Sequence, residues 1–123
     1  MMTTINTDKP LVYSCSGCSN VAQLANDLAI KLNSMGIAEM SCISGVGGNI
    51  RPLVKLAKSG RPIIALDGCP LSCVAACLAQ HDVKATHHLE LTRAMNLQKR
   101  PNERCTNIDL NKALTMIIST INT

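Results

Sequence analysis

The chain has 123 residues, a formal net charge of +4 and 46% hydrophobic residues. It contains seven cysteines and one tyrosine but no Phe or Trp, so its core must be aliphatic. This length supports one domain with its own core and excludes a mini-protein that needs disulfides to fold. No apolar run approaches the roughly 20 residues of a membrane span. The basic cluster of Lys99, Arg100 and Arg104 has no aromatic neighbours to stack on bases. We therefore expect neither a membrane nor a nucleic-acid partner.

The beginning of the chain is polar and lacks the apolar stretch of a secretory signal. We expect a flexible N-terminal segment over residues 1–9 and one domain over residues 10–120, in a cytoplasmic protein. In a reducing compartment, clustered cysteines are more often metal ligands or redox groups than structural disulfides.

A strand followed by an amphipathic helix opens the predicted fold. Residues 11–14 suit a strand, and apolar residues then recur at three- and four-residue steps from 21 to 35, as on one helix face. Ser19 or Asn20 can cap the start of this helix, and Gly36 suits its end.

The second strand–helix unit contains three glycines. The pattern predicts a short strand over 39–43, a glycine loop over 44–48 and a helix capped by Asn49. Pro52 falls in the first turn of that helix, where a missing N–H costs no intrahelical bond. The loop does not have the spacing of a dinucleotide-binding fingerprint, so we expect it to bring backbone amides close to a thiolate.

The second half repeats the alternation of strand and helix. The apolar run 63–66 suits a strand buried on both faces, and a third helix is predicted from about Pro70 to Gln80 with Cys69 as its cap. Residues 87–95 alternate between apolar and polar, which favours an edge strand.

Thr106 and Asp109 have the spacing of a capping box for a last helix. Regular alternation of strand and helix predicts an α/β fold. We expect a small single-domain, three-layer Rossmann-like architecture with a mostly parallel four-stranded sheet in the order 2-1-3-4.

Three cysteines occupy equivalent places in successive strand–helix units. Cys15, Cys42 and Cys69 are separated by 27 residues each time, about one strand–helix unit, so each follows a strand. The carboxyl ends of parallel strands meet at one edge, about 4.8 Å apart. Zinc–sulfur bonds of about 2.3 Å allow three adjacent strand ends to offer thiolates to one metal ion. The sequence therefore predicts a metal site at this edge.

Cys73 is the expected fourth ligand, because it lies in the first turn of the helix after Cys69, where a thiolate is favoured. Cys18, on the loop after the first strand, is the alternative. Asp67 and Gly68 are expected to support the cysteine loops from behind, although Asp67 also suits a simple turn residue.

The other cysteines and the histidines are predicted to lie outside the site. Cys77 falls within the apolar third helix, where packing is the simpler role. Cys105 lies near the last helix. The three histidines have no ligand spacing with the cysteines and are expected at the surface or the sheet edge: His81, His87 and His88.

At Asp67-Gly68-Cys69 the chain resembles the DGC-domain family of zinc-binding proteins. The resemblance extends over about residues 10–118 and includes Tyr13-Ser14-Cys15-Ser16-Gly17 and Met40-Ser41-Cys42 with its glycine loop. It implies metal chelation by the four cysteines that the strand geometry also selects: Cys15, Cys42, Cys69 and Cys73. Cys18 departs from the family pattern, since many relatives have a small residue there.

Three functions remain open at this stage. A closed four-thiolate zinc site leaves no position for a substrate, which favours a structural, storage, transfer or sensing role over catalysis. Cys15-Ser16-Gly17-Cys18 is a C-x-x-C between a strand and a helix, which suits thiol redox or sulfur-transfer chemistry. Four thiolates also suit an iron–sulfur cluster. The residues six positions after Cys15, Cys42 and Cys69 are not arginine, and no G-x-S-x-G is present, so phosphatase and serine hydrolase chemistry are disfavoured.

Overall fold

A computed structural model describes residues 9–122 of the chain, so most of the predicted segment 1–9 lies outside the described residues. The strands are β1 (Leu11–Ser14), β2 (Glu39–Met40), β3 (Ile63–Asp67) and β4 (His87–Glu90). The helices are α1 (Asn20–Ser34), α2 (Ile43–Gly47), α3 (Arg51–Ala57), α4 (Cys73–Ala79), α5 (Leu91–Ala94) and α6 (Asn107–Ile121).

The four strands form one parallel sheet in the order β2-β1-β3-β4, which confirms the predicted α/β fold and strand order. In the register, Val12 of β1 pairs with Met40 on one side and Ile64 on the other. Because all strands run the same way, the segments that follow β1, β2 and β3 leave the sheet at one edge. The cysteines at their ends therefore share that edge.

Side-chain alternation divides the core into two apolar layers, one on each face of the sheet. On one face, Val12, Ile64 and Leu66 pack with α1 and α6. On the other face, Leu11 and Tyr13 belong to a cluster that includes buried residues of α2, α3 and α4. Residues 63–66 of β3 are at most 2% exposed, as expected for a strand covered on both faces. Helix, sheet and helix thus form three layers.

The caps predicted for the first and last helices are present in the structure. Ser19, not Asn20, caps α1 by accepting a bond from Ala22 N, and Gly36 takes the left-handed conformation expected after a helix (φ +75°). At α6, Thr106 and Asp109 form the predicted capping box. None of the helices in the described part of the chain is long and apolar enough to cross a bilayer.

The prediction for the second unit was wrong in detail. The strand ends at Met40 instead of residue 43, and the expected glycine loop is helix α2 with Cys42 at its N-cap. The glycines are used for close packing, because a Cβ on Gly45 would overlap Leu53. Asn49 does not cap the next helix; it has φ +64°, and Ile50 holds the cap position.

Two boundaries in the second half also differ. The third helix was predicted from Pro70 with Cys69 as its cap, but α4 starts at Cys73 after a turn closed by Ser72 N donating to Cys69 O at 3.1 Å. The fourth strand was predicted to reach residue 95, but it ends at Glu90. The Glu90 side chain accepts bonds from Thr92 N and Arg93 N and so starts α5.

Candidate metal centre

Three of the four predicted ligands line one cavity at the carboxyl edge of the sheet. The cavity has a volume of about 310 Å³, and its walls include Cys15 from the end of β1, Cys42 from the N-cap of α2 and Cys73 from the first turn of α4. These cysteines are 27 and 31 residues apart in the chain, so the parallel topology brings them together. The structure therefore joins three separate segments around one sulfur-lined space.

The fourth predicted ligand, Cys69, lies beside this cavity and does not line it. Its Sγ is 3.4 Å from the Nζ of Lys99. It is still near Cys15, because the residue before it, Gly68, makes a hydrogen bond to Cys15 Sγ. Within residues 9–122, no three Cys, His, Asp or Glu side chains are close enough to hold a metal ion as they stand.

The chemistry of the donors nevertheless fits a thiophilic metal ion. Thiolates are preferred ligands of zinc, and Cys42 and Cys73 are exposed to solvent, so an ion can reach them. The backbone N–H of Gly68 donates to Cys15 Sγ at 3.1 Å. Such a bond orients a ligand sulfur and offsets part of its charge.

Cys15 and Cys42 have opposite electrostatic environments. Burial is the main cause that raises the pKa of Cys15, and the Gly68 N–H acts against it. At Cys42 the pKa is lowered, mainly by the Ser44 hydroxyl 3.0 Å away and then by the backbone amides of Gly45 and Ser44. Glycine-rich α2 therefore does bring amides to a sulfur, as predicted for this segment. Cys42 is the thiol better prepared to ionise.

Asp67 fixes the start of the helix that carries Cys73. Its buried carboxylate accepts bonds from Val74 N at 2.7 Å and Ala75 N at 3.2 Å. The N-cap residue Ser72 makes no side-chain cap bond and has φ +51°, so Asp67 satisfies helix amides in its place. The carboxylate of the central motif thus holds the first turn of α4 against the sheet.

Gly68 allows the same motif to touch α1. A Cβ at this position would lie 2.6 Å from the backbone carbonyl of Val21 and 2.7 Å from Ala22 N. No side chain fits in that space. The three residues of the motif therefore have three tasks: Asp67 caps α4, Gly68 permits contact with α1, and Cys69 presents a thiol at the edge.

His88 was predicted to be a surface or edge residue, and it lies exposed on the edge strand β4. Its Nε2 also lies 2.8 Å from Oδ2 of Asp67, a contact that the sequence did not predict. The parallel register explains this contact. His88 pairs with Ala65, and residues 65 and 67 face the same side of β3. The alternation of apolar and polar side chains over 87–90 places His88 on one face of β4. Only the register of β4 on β3 shows that this face also carries Asp67.

The remaining cysteines do not line the cavity. Cys18 is exposed on the loop after β1, where its carbonyl accepts a bond from Asn102 N. Cys77 is half-buried, and a Cβ on Gly47 would come within 2.8 Å of its sulfur, so it packs between α4 and α2. Cys105 is half-buried near Asn20, with Sγ 3.7 Å from the Asn20 carbonyl.

The sheet is parallel throughout, and free thiols lie together at the carboxyl ends of its strands. These features place the chain among small cysteine-rich α/β proteins. The model of the DGC domain matches residues 11–117, and the chain belongs to this family. A relative from Pseudomonas aeruginosa (strain PAO1), named anaerobic and virulence modulator AnvM, is 64% identical over 96 residues. That alignment covers 78% of this chain and 72% of the relative. No solved structure matches the chain.

Proposed function

We propose that this protein binds one zinc ion through the thiolates of Cys15, Cys42, Cys69 and Cys73. The observation that carries the proposal is the cavity that three of these cysteines share although they come from separate segments. Four thiolates around one zinc ion supply a closed tetrahedral centre that stabilises the surrounding loops and leaves no position for a substrate. We therefore infer a binding role rather than catalysis.

Exposure of the thiols favours metal storage, transfer or sensing over a purely structural centre. Cys42 and Cys73 are exposed, and Cys15 and Cys69 are only partly covered. Most buried residues of the two apolar layers come from the strands and helices and not from the cysteine loops. A zinc ion at this edge is accordingly accessible to a competing ligand or a partner.

The test is elemental analysis with an absorption spectrum, on protein purified without oxygen and without an affinity metal. We expect one zinc per chain, no colour, and loss of zinc in Cys69→Ser and Cys73→Ser. Cys105→Ser is the matched control, since this thiol is equally partly buried but lies away from the cavity. Full zinc content in Cys69→Ser would falsify the four-thiolate assignment.

Two further outcomes separate the alternatives. Loss of zinc in Cys18→Ser with retention in Cys73→Ser would make Cys18 the fourth ligand. A brown protein containing iron and sulfide would replace zinc by an iron–sulfur cluster, because zinc has no visible absorption while a cluster does.

Thiol chemistry is a second candidate, and Cys42 is the residue that favours it. The sequence suggests Cys15 and Cys18 for redox or sulfur transfer, but burial raises the pKa of Cys15 and so disfavours its thiolate. Cys42 is exposed, lies at the N-cap of α2 and has a lowered pKa. Sulfur transfer or redox exchange would therefore begin at Cys42.

The pH dependence of alkylation tests this candidate on metal-free protein. The Cys42 peptide should react with iodoacetamide with a midpoint below the ordinary thiol value of 9.0. Ser44→Ala should move that midpoint upward, because the hydroxyl that stabilises the thiolate is removed, whereas Ser16→Ala should leave it unchanged. An unchanged midpoint in Ser44→Ala, together with one zinc per chain in the wild type, argues for metal binding alone.

A further inference from the structure

A segment after α5 passes close to the cysteine edge, and the buried Asn20 makes three of the hydrogen bonds that hold it there. We call residues 97–105 the strap. Asn20 donates its side-chain amide to Gln98 O at 3.0 Å and accepts from Arg100 N at 2.7 Å. The backbone N–H of Asn20 also donates to Arg100 O at 2.9 Å. Because Asn20 is only 8% exposed and uses both ends of its amide, the two residues that flank Lys99 are held in place.

This attachment directs Lys99 toward the site. The Nζ of Lys99 lies 3.4 Å from Cys69 Sγ, although the two residues are 30 positions apart in the chain. The arginines of the strap have carboxylates as neighbours: Arg104 is 2.8 Å from Asp27, and Arg100 is 3.8 Å from Glu103. Lys99 is therefore the strap cation that faces a sulfur.

A four-thiolate site needs such a charge. Four thiolates carry four negative charges and a divalent ion supplies two positive charges, which leaves a centre of charge −2. Asp67 adds another buried carboxylate behind it. An ammonium group a few ångströms from one ligand lowers the energy of this anion, by a modest amount because the pair is exposed and water screens it.

We propose that Lys99 is a positioning residue of the metal centre: it offsets the negative charge of the loaded site and so raises its affinity for zinc. This inference rests on the proposed function, because it assigns a role toward the same centre.

The test measures zinc affinity by competition with a chromophoric chelator at low ionic strength. Lys99→Gln should weaken zinc binding about fivefold, which corresponds to the upper end of the interaction energies found for one partly exposed charge pair. Lys99→Glu should weaken it further, and Lys99→Arg should restore most of the affinity because it keeps the charge. The difference between Lys99→Gln and wild type should shrink at about 1 M salt, where the screening length is about 3 Å.

Lys84→Gln is the matched control. It removes the same charge from an exposed lysine that precedes β4, at the edge of the sheet opposite the cysteines, and should leave affinity unchanged. A merely structural role of Lys99 would lower affinity without dependence on salt and without rescue by arginine. Denaturant unfolding of each metal-free variant establishes that the fold is intact.

The outcomes distinguish this inference from the proposed function. A wild-type chain that takes up no zinc overturns both. A wild-type chain that binds zinc no more tightly than Lys99→Gln, or a loss that salt and arginine do not change, overturns the role of Lys99 and leaves zinc binding in place.

Discussion

Gly68 shows how a single missing side chain determines the shape of the site. A Cβ there would lie 2.6 Å from the Val21 carbonyl, and backbone atoms of a helix cannot yield as a flexible side chain can. We expect Gly68→Ala to lower the free energy of unfolding by roughly 2 kcal/mol, as overpacking of a tight contact does. The measurement is the urea unfolding midpoint of metal-free protein.

Gly17→Ala is the control for this substitution. Gly17 lies in the loop between β1 and α1 and also approaches α1, but its added Cβ would meet only Ala22 Cβ, at an ordinary 3.8 Å. Equal midpoints for the two variants would show that α1 can move away from the central motif. The contact would then place no limit on residue 68, and the glycine would need another explanation.

At the scale of one element, the start of α4 is fixed by hydrogen bonds to a residue outside the helix. Its first turn has no local cap, and the amides of Val74 and Ala75 are satisfied by Asp67. We expect Asp67→Asn to cost about 1–3 kcal/mol of unfolding free energy, because it removes a buried charged acceptor and leaves donors short of partners. Asp82→Asn, in the exposed turn after α4, is the control and should change stability little.

Hydrogen exchange locates this effect within the chain. If Asp67 caps α4, the amides of residues 74 and 75 should exchange faster in Asp67→Asn, while those of α6 should change only with global stability. Uniform acceleration across the chain would contradict a local capping role. Zinc affinity of the same variant would report whether capping also positions Cys73.

This same bond explains why the boundary of α4 could not be predicted from the sequence. The sequence contains Pro70, a good first-turn residue, so the pattern predicted a helix from residue 70. The cap is seven residues upstream of Val74, and its role depends on the position of β3. The end of β4 has a local cause, because Glu90 caps α5 through amides only two and three residues later. Strand order, by contrast, was predictable because the repeated 27-residue spacing and a shared edge left few arrangements.

Sequence reasoning named the cysteines at the edge and Asp67 and Gly68 behind them, but it missed two contacts made by other elements. The 27-residue spacing selected Cys15, Cys42 and Cys69, and the helix turn after Cys69 added Cys73; all but Cys69 line one cavity. It missed His88, which reaches Asp67 only through the register of β4, and Lys99, which reaches Cys69 only through the strap. Both contacts join residues more than 20 positions apart, and neither residue type in isolation marks a site. Long-range contacts of this kind become visible only in the folded chain.

At the scale of the whole molecule, a metal ion at the cysteine edge would connect the segments that follow β1, β2 and β3. Since these cysteines are brought together only in the folded chain, zinc would bind the native state in preference to the unfolded one. Stability should therefore rise with free zinc, by about 2.7 kcal/mol when zinc is at one hundred times its dissociation constant. We expect this rise in the denaturant midpoint of wild type and of Cys105→Ser, and its absence in Cys69→Ser.

If the midpoint of wild type is the same with zinc and with a strong chelator, then either the thiols do not bind zinc or they bind it equally well when unfolded. Zinc content measured on the unfolded chain decides between these, because only a ligand set brought together by the fold loses its metal when the parallel sheet comes apart.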